Sequence, residues 1–78
     1  MNGNEVKKVK VELTDVTGHV AMELTQAETL DLVEQNSDHW VFAGGRLVSA
    51  AELADADWSE MAENETTVQL TPGLVGGI

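Results

Sequence analysis

The sequence predicts a small α+β domain, and three observations predict it. Apolar residues alternate in two successive runs near the start, the period then lengthens to that of one amphipathic helix, and alternation returns in the second half. The first run is "VKVELT", residues 9 to 14, with Val9, Val11 and Leu13 on one face and Lys10 and Glu12 on the other. That is the pattern of a half-buried strand. "DVTG" follows, Asp15 suited to opening a turn and Gly18 to closing it. "HVAMEL" then alternates again with Val20, Met22 and Leu24 inward, so the two runs read as a hairpin.

The helix is announced by Thr25 and Glu28, a capping-box pair whose hydroxyl and carboxylate satisfy amides left open at a helix start. Ala27, Leu30 and Val33, with Leu32 flanking, give its apolar stripe, and "NSD" at 36 to 38 stops it. "HWVF" reads as a strand, "AGG" as a turn and "RLV" as a short return strand. Alternation puts Trp40 and Phe42 on one face and His39 and Val41 on the other. Bulk assigns the aromatic pair to the core. Val41 is then left outward beside Arg46, the candidate apolar contact for a partner. "AAELADADW" is expected to be a compact loop or short helical turn anchored by Leu53 and Trp58. "ENETTVQLT" holds the last strand, Val68 and Leu70 inward, and Pro72 ends it by removing a ladder donor. The expected architecture is ββαββ, a mixed sheet of four to five strands packed on one helix. It forms a single domain over residues 1–71, with a flexible lead over 1–7 and a flexible tail over 72–78.

Composition narrows the function classes. The 78 residues include no cysteine, which excludes a disulfide framework or a cysteine-rich zinc site. No apolar run approaches the ~20 residues of a membrane span, and "MNGNEVKKVK" lacks a signal peptide's apolar core, so a cytoplasmic protein is expected. Fourteen Asp and Glu against four Lys and Arg give a net charge of −10. Such a chain repels phosphate backbones, which argues against nucleic-acid binding. Strong self-repulsion in so small a fold points to adaptation to high salt, where the Debye length falls to roughly 3 Å at 1 M.

Elsewhere the chemistry is sparse. His19 and His39 are the only histidines, "AGGR" lacks the Lys-Ser/Thr of a phosphate loop, and Ser37, Ser49 and Ser59 have no base partner in sequence. Asp55, Asp57, Glu60, Glu63 and Glu65 cluster without EF-hand spacing and read as a solvated face. No catalytic residue, metal or cofactor is expected.

The second half resembles ubiquitin-like proteins. "VFAGGRL" at 41 to 47 is similar to the segment where their third strand turns into the fourth, and "ELADADW" at 52 to 58 to the loop after it. "TTVQL" resembles their last strand, and Gly76-Gly77 follows Leu70 at the spacing of their tail. With the element order, the chain resembles a ubiquitin-like β-grasp protein. Its acidity and its uncharged "TPGLVGG" look most like the small archaeal modifier proteins.

That resemblance implies a protein modifier without enzymatic activity of its own. Its acyl donor would be the carboxylate of Gly77 after Ile78 is trimmed, with Gly76 and Leu74 recognised along the tail. The implied partners are an ATP-dependent E1-like activating enzyme, target proteins and a metalloprotease-type trimming or deconjugating enzyme. The same carboxylate would serve lysine conjugation and sulfur transfer. Lys7, Lys8 and Lys10 are the side-chain amines open to self-conjugation, and a monomer is expected. The residues alone leave alternatives open. Gly-Gly is also what simple slack looks like, as in a non-conjugated β-grasp interaction module or a phage-tail-assembly type β-grasp protein.

Overall fold

The computed structural model describes residues 7–15 and 17–73. Eight elements follow in order: β1 (Val9–Asp15), β2 (Gly18–Leu24), α1 (Gln26–Gln35), β3 (His39–Ala43), β4 (Arg46–Val48), α2 (Ala50–Asp55), α3 (Trp58–Glu63) and β5 (Thr67–Pro72). The strands form one mixed sheet in the order β2-β1-β5-β3-β4. β1 and β5 are parallel, and every other neighbouring pair is antiparallel. The fold is therefore α+β, with five strands and with two short helices beyond the single helix expected. No helix among the described residues is long and apolar enough to cross a membrane.

One face of the sheet carries the core. Val9, Val11, Val41, Val48, Val68 and Leu70 are buried there with Leu53 and Trp58 from the two short helices. The pairing explains the rows: Val11 lies opposite Val68, and Val41 lies between Leu70 and Val48. α1 covers this face with Leu30, Leu32 and Val33 packed against the cluster. Its stripe is rotated from the expected one, because Thr29 is fully buried and Ala27 is exposed. The buried Thr29 hydroxyl donates to the Thr25 carbonyl at 2.9 Å, so its burial forfeits no hydrogen bond. Val20 faces the helix side opposite Leu13 but lies beyond the cover and is 53% exposed.

The capping chemistry is as read. The Glu28 N–H donates to the Thr25 hydroxyl at 3.2 Å, and the Thr25 N–H donates to the Glu28 carboxylate at 2.9 Å. The acidic "AAELADADW" stretch uses the same device at shorter length. Ser49 and Glu52 form a second capping box at 3.1 and 2.8 Å, and Asp57 accepts from the Glu60 N–H at 3.1 Å. Two long-range bonds then hold the short helices against the rest. The Gln26 amide donates to the Leu53 carbonyl at 2.7 Å and to the Ala56 carbonyl at 3.1 Å. The Trp58 indole N–H donates to the Leu24 carbonyl at 3.2 Å.

β3 corrects the expected facing. The alternation is as read, but the faces are exchanged: Val41 is in the core, and Trp40 is 48% exposed on the outer side. The cause is register. Gly44 and Gly45 form a two-residue turn with φ of +60° and +82°, a conformation that favours glycine at both central positions. Ala43 is thereby paired with Arg46 and Val41 with Val48 on the helix-covered face. A one-residue difference in register exchanges every side chain between faces, and here it outweighs aromatic bulk.

Candidate functional site

The chemistry expected of the chain begins where β5 leaves the sheet. Pro72 lies opposite His39, the last pair between β5 and β3. The Gly73 N–H then donates to the Asp38 carbonyl at 3.1 Å, continuing the ladder one step past the strand. A Cβ at Gly73 would meet that carbonyl oxygen at 2.8 Å and the Trp40 Nε1 at 2.9 Å. The side-chain position of Gly73 is thus already occupied by a main-chain oxygen and the edge of an indole, and any larger residue there must displace one of them. His39 braces this corner from beneath, its Nε2 lying 3.1 Å from the Thr14 carbonyl and its Nδ1 3.0 Å from the Asp38 carboxylate. The hydrogen bond from His39 holds the Asp38 carboxyl below its usual value.

The sequence-derived candidates fall in three places. Gly77, Gly76 and Leu74 lie outside the described residues, beyond this corner. Val41, the expected partner contact, is buried between Val48 and Leu70, and its companion Arg46 is exposed with its guanidinium 3.9 Å from Glu52. Lys7, Lys8 and Lys10 are exposed at the start of β1, and the Lys10 ammonium is 3.6 Å from Glu12. Among the described residues no three His, Asp or Glu side chains are grouped to hold a metal ion.

The apolar surface that sequence reasoning missed is the one opposite Val41. Trp40 and Leu47 are 48% and 56% exposed, and Phe42, half-buried, is paired across the strands with Leu47. Large side chains left in water are the informative exceptions on a small domain. The Gly44-Gly45 dipeptide signals the turn that pairs Val41 with Val48 and Phe42 with Leu47. Which of these rows is buried is set by the pairing of β3 with β5.

No family model, no curated protein and no solved structure matches this chain.

Proposed function

We propose that this chain is a ubiquitin-like β-grasp protein modifier of the small archaeal type, activated at Gly77 by an ATP-dependent E1-like enzyme. The observation that carries the reading is topological. A sheet ordered β2-β1-β5-β3-β4, with parallel β1 and β5 at its centre and a helix after the second strand, is compatible with a β-grasp fold and supports this reading. In it β5 delivers the chain to a held Gly73, and Gly76-Gly77 follow within four residues.

The modifier supplies a carboxylate and no catalytic group. Ile78 and anything after it is removed first. A carboxylate oxygen of Gly77 then attacks the α-phosphorus of ATP, pyrophosphate leaves, and an acyl-adenylate forms. A lysine amine or a sulfur nucleophile attacks the acyl carbon, AMP leaves, and the amine or thiol proton goes to solvent or a base. Glycines suit this tail because a chain without Cβ atoms threads a narrow channel and approaches a nucleotide closely. The chain itself acts as substrate and not as enzyme.

ATP–pyrophosphate exchange with a purified E1-like enzyme tests the proposal on three C-termini. The chain ending at Gly77 should support exchange. The chain ending at Ile78 should not, and Gly77→Ala in the trimmed chain should be impaired. Equal, negligible exchange for all three, with an enzyme active on another modifier, would leave a non-conjugated interaction module. The exposed Trp40 and Leu47 are the observation that favours that second reading.

A further inference from the structure

A groove of about 890 Å³ opens at the β4 edge of the sheet, between α1 and α2. Its existence follows from two features. β4 stops at Val48, so His39 and Trp40 have no strand beside them on that side. α2 then presents Ala50, Ala51 and Ala54 where larger residues would fill the space. Leu30 and Val33 of α1 line the groove together with Val41 and Val48 from the helix-covered face of the sheet, and Trp40 and Leu47 line it at the sheet edge. The groove is open to solvent along its length, and its volume lies within the ~300–1,000 Å³ of ligand-binding clefts.

The rim has one sign of charge. Asp31 and Glu34 on α1 and Glu52 on α2 line it, and all three are exposed. Among the described residues neither Asp31 nor Glu34 has a lysine or arginine nitrogen within 4 Å. Glu52 has only the Arg46 guanidinium at 3.9 Å, and Arg46 does not line the groove. The lysines stand at β1, with β5 and β3 between it and β4.

We propose that this groove binds a basic amphipathic helix of a partner protein. The helix would place a bulky apolar side chain between Val33 and Val48 and its Lys or Arg residues against Asp31, Glu34 and Glu52. Charge complementarity selects this occupant. An anionic membrane or a nucleic acid is repelled by the rim, and a second copy brings a further −10 of like charge. A helix offers apolar anchors on one side and cations along both margins, the form an apolar groove between helices accepts. The proposal goes beyond the modifier reading and stands whether or not Gly77 is activated, because the residues that build the groove lie within 30–54.

The test is an NMR titration of the isotope-labelled full chain with a capped Leu/Lys peptide of helical periodicity. Two control peptides replace every Lys with Glu or every Leu with Ser. The Leu/Lys peptide should shift amides of α1, β4 and α2 selectively, and both controls should bind at least about tenfold more weakly. Ala51→Trp, an exposed substitution that fills the groove, and the pair Asp31→Lys with Glu34→Lys should each weaken binding about as much. Circular dichroism of the variants checks that each remains folded. Equal binding of the Leu-to-Ser peptide would reduce the attraction to charge alone and overturn the proposal. So would full affinity in folded Ala51→Trp, shifts confined to another face, or groove shifts that follow the concentration of the chain without peptide.

Discussion

At the residue scale, Glu65 marks a local conflict. It has φ of +56°, the only positive φ of a non-glycine among the described residues. Its N–H donates to the Ala62 carbonyl at 3.2 Å, and the Thr66 N–H donates to the Met61 carbonyl at 2.9 Å. That pair of bonds is a Schellman close to α3, in which glycine is the usual occupant of the left-handed position. Glu65→Gly should therefore be more stable than Glu65→Ala by about 1 kcal/mol in urea unfolding. The comparison with alanine removes the effect of deleting a charge. Gly73 is the opposite case, a glycine that is required. Gly73→Ala must displace Trp40 or open the bond to Asp38, and should cost about 1–3 kcal/mol. A changed Trp40 fluorescence spectrum should accompany the loss.

At the scale of elements, helix starts carry the local specificity. The Thr25 N–H holds the Glu28 carboxyl below its ordinary value of 4.5. A carboxyl lowered in the folded state adds stability that is fully present above the unfolded value and is lost as pH falls through the folded one. Stability should thus decline below about pH 4.5, and Glu28→Gln should show a shallower decline there, read by chemical unfolding at several pH values. Gln26 joins elements instead. Its amide meets carbonyls at the end of α2, and Gln26→Ala should cost about 1–2 kcal/mol by leaving them short of a donor. Gln26→Glu should be worse at neutral pH and recover as pH falls, since only the protonated acid can donate there.

These devices show how far the chain could be read in advance. The hairpin, the Thr25–Glu28 start and the strand at Val68 and Leu70 were visible because period and capping are local signals. α2 and α3 were less so. Six-residue helices carry too few turns to display a stripe, although Ser49–Glu52 and Asp57–Glu60 have the spacing of caps. The facing of β3 was the real miss, since alternation is symmetric and only pairing with β5 and β4 chooses the side. That one choice also hid the apolar site, by placing Val41 where Trp40 and Leu47 belong. The groove could not be seen at all, because it joins residues 30 to 54 through tertiary packing alone.

At the scale of the molecule, charge dominates. Fourteen acidic side chains meet four basic ones, and the lysine and arginine ion pairs among the described residues, Lys10–Glu12 and Arg46–Glu52, are exposed and long. Exposed pairs contribute little, so repulsion is left largely unbalanced. Thermal stability should rise with salt. Between about 0.1 M and 2 M KCl, where the Debye length shrinks from about 10 Å to below 3 Å, a gain of about 1 kcal/mol would raise Tm by roughly 4–8 °C. A calorimetric transition that does not move would assign the acidity to solubility alone.

The parallel pairing of β1 with β5 has a consequence for the order of events in time. Among the described residues the last strand in sequence sits in the middle of the sheet, and it joins the β1–β2 hairpin to the β3–β4 hairpin. Until Pro72 has left the ribosome, the two halves have no ladder in common, whatever each has formed alone. Synthesis, which completes N-terminal parts first elsewhere, here cannot finish this core before β5 arrives. A nascent chain halted at residue 66 should remain protease-sensitive, and one extended past residue 73 by a flexible spacer should become resistant. Residues 74–78 follow β5 in the sequence and therefore leave the ribosome only after every strand of this sheet has been made.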